Sequence, residues 1–131
     1  MAGYSQRSLK DKLGIKPEYD LLFVNAPESY FAELGKLSNL IGKSDHYDFI
    51  HFFPKDKAEF VAKYESLKSK LRPAGMLWVS WPKAASKIKT DINDNVIRDY
   101  ALDHGLVDVK VCAVDEVWSA LKLIYRLRDR K

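Results

Sequence analysis

Short apolar runs alternate along the chain with longer segments in which apolar residues recur every three or four positions. The runs Leu21–Val24, Tyr47–Phe53 and Met76–Trp81 are almost continuously apolar, and each is followed by a segment that contains a proline. Runs that are apolar on both faces are typical of parallel strands that helices cover on both sides. We therefore predict three buried parallel strands.

Helical periodicity fills the intervals between these strands. Apolar residues share one helical face in residues 30–41, 60–71 and 92–101, and a short helix is predicted at Ser8–Leu13. Residues 73–75, Pro-Ala-Gly, are expected to turn the chain into the third strand. We expect Gly14 to end the short helix and Gly42 to end the second helix. The third helix should start at Asp56, with Glu59 completing its cap, and the fourth should start at Thr90 or Asp91 and end at Gly105.

The C-terminal third predicts two more strands. Valines at 107, 109 and 111 and Ala113 alternate with Asp108, Lys110 and Cys112, which predicts a half-exposed strand, and Val117–Leu127 follows as a long final strand. Residues 114–116 are too few for a crossover, so the last strand should be antiparallel to the one before it. The whole order predicts an α/β fold with helices on both faces of one open, mostly parallel sheet of about five strands.

Composition and charge agree with one ordinary globular domain that spans residues 1–131. The 131 residues are 47% hydrophobic and 31% charged, which is enough apolar material for one core. The net charge of +4 is modest, and we interpret the basic run Arg126–Lys131 as a solvated end rather than as a nucleic-acid arm. Cys112 is the only cysteine, which excludes an intrachain disulfide. The first ten residues lack an apolar signal core and no run could span a bilayer, so we expect a cytoplasmic protein with no membrane partner.

Between residues 19 and 127 the layout resembles the second half of the S-adenosylmethionine-dependent methyltransferase fold. The resemblance rests on an Asp-containing strand, a helix ending in LRPAG, a further strand and helix, and HGLVDVKV before a closing antiparallel strand. It implies a truncated, Rossmann-like sheet. Methyltransferases of this fold usually have a glycine-rich loop after the first strand and a carboxylate at the end of the second. Here residues 25–29 contain no glycine and residues 42–46 are too short for a further strand, so we predict no bound cofactor.

A second resemblance is carried by four sequence blocks. They are KLGIKP, NAPESY, LRPAGMLWVSWPK with TDI, and GLVDVKVCAVDEVWSALKL, and together they span most of the chain. The blocks are similar to an uncharacterised bacterial family known only as a domain of unknown function. Glu18 stands where that pattern has a glycine after KP. The family supplies no established activity that could be carried over to these residues.

The sheet topology predicts where a ligand would bind. In an open α/β sheet, ligands lie beyond the carboxyl ends of the parallel strands. Lys83 and Lys87 could neutralise an anion there, and Glu28 and Asp115 could act as general acid and base if they approach each other. The expected binding rim comprises Asn25, Pro27, Glu28, Tyr30, Lys55, Trp81, Pro82, Lys83, Lys87, Asp115, Glu116 and Trp118.

Each of these residues also has a purely structural interpretation. Trp78 is favoured as a core residue, whereas for Trp118 core and ligand platform are equally open. Surface lysines are more often solvated than functional, and Glu28 could simply favour the first turn of its helix.

The histidines and the cysteine carry weaker signals. His46, Asp48 and His51 have a spacing that superficially suggests a metal site, but strand alternation places His51 on the other face. We therefore predict no metal ion and a hydrogen-bonded core role for His51. Cys112 has no activating neighbour in the sequence and is not predicted to be a nucleophile.

These observations favour a non-catalytic or cryptic small-ligand-binding module that has lost the usual cofactor loop, with a small anionic molecule as the expected partner. The alternative is a small enzyme that acts on an anionic metabolite at the rim, or a divergent methyltransferase, and the sequence leaves open whether the chain is an enzyme. Nucleic acid is the least favoured partner.

Assembly depends on the first strand, which should lie at a sheet edge. An apolar, unpaired edge invites association unless it is covered. We predict that the segment Tyr4–Ile15 packs beside this strand or its flanking helix and keeps the protein monomeric. The alternative is an edge-to-edge dimer through Leu21–Val24.

Overall fold

The computed structural model describes residues 8–129 of the chain, apart from the side chains of Ala85 and Arg128. Two predictions lie partly outside these residues. They are the beginning of the expected N-terminal cover, Tyr4–Ile15, and the end of the basic run Arg126–Lys131.

Strands and helices alternate through most of the described chain. The strands are β1 (Leu21–Val24), β2 (Tyr47–Phe52), β3 (Leu71–Pro82), β4 (Leu106–Ala113) and β5 (Trp118–Tyr125). The helices are α1 (Leu9–Leu13), α2 (Glu28–Leu34), α3 (Lys57–Ser69) and α4 (Asp94–Asp103). Short 3-10 turns, Ala84–Ser86 and Leu127–Asp129, follow β3 and β5.

The strands form one open sheet in the order β1-β2-β3-β5-β4. β1 pairs with β2 and β2 with β3 in parallel, whereas β5 is antiparallel to both of its neighbours. Helices α3 and α4 pack on one face of the sheet, and α1 and α2 pack on the other. The structure therefore confirms the predicted open, mostly parallel α/β sheet with an antiparallel last strand.

β1 is an edge strand, and a short return of the chain meets its outer side. The amide of Leu21 donates to the carbonyl of Leu40 over 3.0 Å, and the amide of Gly42 donates to the carbonyl of Leu21 over 2.8 Å. Leu9, Leu13 and Ile15 are buried between α2 and the sheet face rather than along this edge. The main-chain groups of Leu21 are thus paired by residues 40–42, and the monomeric state stays a prediction.

Helix α2 is shorter than its apolar spacing predicts. The expected helix runs to Gly42, but α2 ends at Leu34, and Gly35 has φ 79° and ψ −164°. That region of backbone space is open essentially only to glycine, so Gly35 stops the helix. The chain then extends back to Leu21, which leaves Ile41 40% exposed instead of buried on a helical face.

The entry into β3 is a bulge within the strand and not a turn before it. Tyr47 is opposite Leu71 and Phe49 is opposite Met76, so four residues of β3 have to be accommodated opposite one residue of β2. Gly75 lies in this bulge. A Cβ atom at Gly75 would lie 3.0 Å from the carbonyl oxygens of Tyr47 and Asp48. The glycine is therefore required by a close approach of two backbones.

β4 also contains a bulge, which corrects the predicted face of this strand. Asp108 is opposite Leu123 and Lys110 is opposite Lys122, so Val109 is the extra residue. An inserted residue shifts the alternation of side chains by one position. Cys112 consequently points into the core, and Val111 is 53% exposed.

Two smaller predictions about helices are wrong. The side chain of Asn93, and not that of Thr90 or Asp91, caps α4 by accepting a hydrogen bond from the amide of Val96 at 2.9 Å. Val61, which was expected on the buried face of α3, is exposed. By contrast, Asp56 caps α3 as predicted, since its carboxylate accepts from the amide of Glu59. None of the helices within residues 8–129 is long and apolar enough to cross a membrane.

Candidate ligand-binding rim

A cavity of about 600 Å³ opens at the carboxyl edge of the sheet. It lies between α1 and α2 on one side and the β4–β5 turn on the other. Its walls are formed by Lys12, Ser29, Glu33, Lys83 and residues 113–117. We call this space the rim cavity. It brings together Lys83, Asp115 and Glu116 of the predicted rim.

The end of β3 and the β4–β5 turn hold the rim cavity in shape. Pro82 is buried and its peptide bond to Trp81 is trans. The amide of Lys83 then donates to the carbonyl of Val117 over 2.7 Å. Asp115 fixes the turn, because its Oδ1 atom accepts from the amides of Val117 and Trp118, each at 2.8 Å.

The charges that line the rim cavity are mixed. Lys12 and Lys83 face Glu33, Asp115 and Glu116, which is one more carboxylate than ammonium. Glu33, and not Glu28, is the residue of α2 that lines the same cavity as Asp115. This balance does not favour the purely anionic ligand that the lysines alone predict.

A separate polar cluster forms where β1 and β2 end. Asn25 has a positive φ of 62°, and its side-chain amide donates to Oε2 of Glu59 over 2.8 Å. The amide of Lys55 donates to Oε1 of the same carboxylate at 2.8 Å, and Lys63 approaches it at 3.1 Å. Burial opposes ionisation of Glu59, but these hydrogen bonds outweigh that effect and hold its pKa below the usual value. The side chain of Asn25 thereby joins α3 to the end of β1, whereas Lys55 takes part only through its backbone amide.

Tyr30 lies in the core and not at the rim surface. Its hydroxyl is 2.7 Å from Nδ1 of His51, whose Nε2 is 2.7 Å from the hydroxyl of Ser80. All three side chains are fully buried. Burial lowers the pKa of His51 to about 3 and raises that of Tyr30, to which the neighbouring Cys112 also contributes. His51 is thus a neutral, hydrogen-bonded core group, as the sequence predicts.

The three tryptophans take different positions. Trp78 is fully buried, and its indole nitrogen donates to the carbonyl of Leu13 at 3.0 Å. Trp118 is half-buried and meets Phe53 edge to face, with ring centroids 5.3 Å apart. Trp81 is half-buried too, but it packs against the α3–α4 face of the sheet.

The remaining predicted residues are spread along the edge. Glu28 and Glu116 are exposed, and Pro27 precedes α2 without a side-chain cap. Lys87 is exposed and has a positive φ of 62° at the end of the 3-10 turn. Ser29 belongs to the rim loop that the sequence predicts after β1, whereas the sequence pattern does not identify Lys12 or Glu33. The spacing of Ser29 and Glu33, four residues apart on one helix, places them on a common face, but nothing local shows which way that face points.

The spacing that suggested a metal site resolves into other contacts. Asp48 accepts from the amide of Asp20 at 2.8 Å and lies near Arg72, while His51 is occupied by Tyr30 and Ser80. In the described part of the chain, no three histidine, cysteine, aspartate or glutamate side chains gather closely enough to hold a metal ion.

Comparisons with known proteins find similar solved structures but no similar sequence family. No family model matches the sequence, and no curated protein matches it either. The structure of DhpI in complex with SAH is similar, with a TM-score of 0.61 and 14% identity over 92% of this chain and 83% of that one. The N-methyltransferase NodS from Bradyrhizobium japonicum has a TM-score of 0.55 and 13% identity, covering 82% of this chain and 86% of NodS. For the tRNA methyltransferase TrmK from B. subtilis the TM-score is 0.54 and the identity 12%, over 94% of this chain and 67% of TrmK.

These similarities define the class of fold. At identities this low they show the fold alone, and the fold is a methyltransferase-like Rossmann sheet. The family of unknown function that the sequence blocks resemble has no support from the family models.

Proposed function

We propose that this protein is a small-molecule-binding module of methyltransferase-like fold, that its ligand occupies the rim cavity, and that it does not hold S-adenosylmethionine in the way typical of the fold. The observation that carries the third part, on S-adenosylmethionine, is the hydrogen bond between Asn25 and Glu59 at the end of β1. It occupies the position where the fold usually presents bare backbone to the cofactor.

The loop after β1 supports this proposal in two ways. A cofactor that lies against the backbone needs glycine there, because a side chain keeps it at a distance. Here the side chain of Asn25 is tied to α3, and Pro27 has no amide hydrogen to offer.

The segment that follows α2 also supports the proposal that S-adenosylmethionine is not held in the usual way. In the usual fold a further strand lies beside β1 and ends in a carboxylate that binds the ribose of the cofactor. Here residues 40–42 take that side of β1 and pair with it through a single bridge.

The charges of the rim cavity indicate the kind of ligand. Lys12 and Lys83 lie around the same space as Glu33 and Glu116, and Ser29 adds a hydroxyl. A molecule that carries both a cationic and an anionic group could satisfy both kinds of side chain, whereas a simple anion would meet the carboxylates. The volume of about 600 Å³ is within the range of small-molecule sites. We therefore propose a zwitterionic or polar metabolite in place of the anion expected from the sequence.

Two experiments test the proposal. Isothermal titration of the chain with S-adenosylmethionine and S-adenosylhomocysteine should give no saturable heat, and micromolar binding of either would overturn the third part. A thermal-shift screen of amino acids and their amides should find compounds that raise the melting temperature by mass action. Lys83→Gln and Glu33→Gln should each abolish such a shift, and Lys89→Gln, which changes an exposed lysine outside the cavity, should retain it.

A second candidate is a divergent methyltransferase or another small enzyme that uses the rim. It is supported by the similarity to DhpI, whose structure is a complex with SAH, and to NodS and TrmK, which are methyltransferases. In this scheme Oδ1 of Asp115 is already occupied by two amide hydrogens, which leaves Oδ2 as the atom that could take a proton. The same titration with S-adenosylmethionine decides whether the chain is a divergent methyltransferase, and turnover of a compound found in the thermal-shift screen would indicate another small enzyme.

A further inference from the structure

We propose that a second cavity, beside the amino end of β1, binds a small phosphate-bearing molecule. The cavity has a volume of about 560 Å³ and lies between α1, the loop that leads into β1 and the segment that follows α2. We call it the basic cavity. It is separate from the rim cavity, and the inference stands independently of the proposed function.

The basic cavity is lined by three lysines from three different segments. Lys10 belongs to α1, Lys16 precedes β1 and Lys36 follows α2, while Asp11 is the one acidic residue of the lining. None of the three lysines forms an ion pair with a carboxylate in residues 8–129. Like charges around a concave surface add their potentials and attract a counter-ion of the opposite sign. The charge of this cavity thus favours an anion, in contrast to the mixed charge of the rim cavity.

The walls of the basic cavity are fixed by hydrogen bonds rather than left to loop motion. The side-chain nitrogen of Asn39 lies 2.8, 3.2 and 3.0 Å from the carbonyl oxygens of Lys16, Pro17 and Tyr19. The ammonium of Lys10 donates to the carbonyl of Lys36 at 3.4 Å. These contacts join all three segments that bear the lysines. A site whose walls are already in place loses less entropy when a ligand binds.

The rest of the lining narrows the class of ligand. Ile15 and Leu37 provide an apolar wall, and Ser38 provides a hydroxyl beside the lysines. A phosphate ester with a small carbon skeleton offers charge to the ammonium groups and apolar surface to Ile15 and Leu37. The volume suits a molecule of that size and not the length of a nucleic-acid strand.

The test uses inorganic pyrophosphate and glucose 6-phosphate as probes, with the full chain and backbone amide NMR as the readout. We expect saturable shifts of the amides in residues 15–16 and 36–39. The double variant Lys16→Gln/Lys36→Gln should weaken binding by about tenfold or more, as expected when two exposed charge interactions are lost. Asn39→Ala should also weaken binding, although it leaves every charge in place.

The matched control is Lys43→Gln/Lys89→Gln, which removes two exposed lysines elsewhere and lowers the net charge equally. It should bind both probes within about twofold of the unmodified protein. No saturable shifts, equal weakening in both double variants, or shifts confined to the rim would each overturn the proposal. A single-stranded RNA oligomer that binds more tightly than both probes through the same amides would overturn the ligand class. Thermal melting of each variant establishes that it is folded.

Discussion

The indole nitrogen of Trp78 donates a hydrogen bond to the backbone carbonyl of Leu13 across 65 residues of sequence. Both residues are completely buried. Helix α1, which ends at Leu13, has only five residues and could not persist by itself. Its position therefore depends on packing against the sheet and on this bond. Lys10 and Lys12, the lysines that α1 contributes to the two cavities, depend on it in turn.

We predict that Trp78→Phe lowers the free energy of unfolding by roughly 2–3 kcal/mol, because it leaves a cavity and an unsatisfied carbonyl. Urea denaturation measures the loss. Amide hydrogen exchange in α1 should rise more than exchange in α4. Trp81→Phe is the control, since Trp81 is half-buried on the opposite face of the sheet and should leave exchange in α1 unchanged. Unchanged protection of α1 in Trp78→Phe would show that the bond does not hold the helix.

The buried histidine predicts a particular dependence of stability on pH. In the unfolded chain His51 takes up a proton as the pH falls below about 6.5, while in the fold it stays neutral down to about 3. Between these values the unfolded state binds more protons, so acid destabilises the fold by up to about 1.4 kcal/mol per pH unit from this group. This penalty is absent above about pH 6.5 and grows as the pH falls towards 3.

Urea denaturation at several pH values between 4 and 7 measures this slope. In His51→Leu the slope of the unfolding free energy against pH should decrease by the contribution of one proton, up to about 1.4 kcal/mol per pH unit. The variant should also be less stable overall, because Tyr30 and Ser80 lose their partner. His46→Gln alters an exposed histidine and should leave the His51 contribution in place. A slope that is the same in His51→Leu as in the unmodified protein would rule out a neutral, buried His51.

Glu59 is predicted to stabilise the junction between β1 and α3. Glu59→Ala removes the acceptor for the amide of Lys55 and for the side chain of Asn25, and should cost about 1–2 kcal/mol. Because the pKa of Glu59 is lowered, its stabilisation is present above the unfolded value and is lost as the pH falls through the folded value. Glu65→Ala, at an exposed position of the same helix, should change stability by less than about 0.5 kcal/mol. Equal losses in the two variants at pH 7 would contradict the assigned role.

Gly75 is predicted to be intolerant of a side chain. In Gly75→Ala the new methyl group would press on the carbonyl oxygens of Tyr47 and Asp48, which belong to the backbone of β2 and cannot swing away. We expect a loss of about 1–3 kcal/mol in thermal or urea unfolding. Ala74→Ser changes an exposed neighbour in the same bulge and should be nearly neutral. An alanine variant as stable as the parent would mean that the two strands separate more easily than their spacing implies.

The sequence predicts best what depends on local pattern. Continuous apolar runs identify β1 and β2, and Asp56 marks the start of α3, because neighbouring residues suffice for both signals. Helix α2 was predicted too long because residues 37–41 keep a helical spacing while pairing with Leu21 requires extended chain. The face of β4 was predicted wrongly because the bulge at Val109 arises from pairing with β5 and leaves no mark in the alternation itself.

The sequence also predicts only part of the candidate site. Topology alone predicts that Lys83 and Asp115 lie at the carboxyl edge, and the rim cavity contains both. Tyr30 follows the rim loop closely in sequence, yet the helix turns it inward to His51. The rotation of α2 about its axis, which decides this, results from packing against the sheet. Lys12 and Glu33 were missed for that reason, since their contribution depends on how α1 and α2 pack against the rest of the fold.

β5 lies between β3 and β4 in the sheet although it follows both of them in the sequence. While a ribosome is still adding these residues, β3 and β4 have no strand between them, and both expose main-chain groups that β5 will later occupy. The nascent chain can bury its β1–β2–β3 half but cannot close the sheet until Trp118–Tyr125 has left the exit tunnel. Completion of this sheet therefore waits for the synthesis of β5, and a nascent chain stalled before this strand would be a natural client for a chaperone that binds unpaired strands.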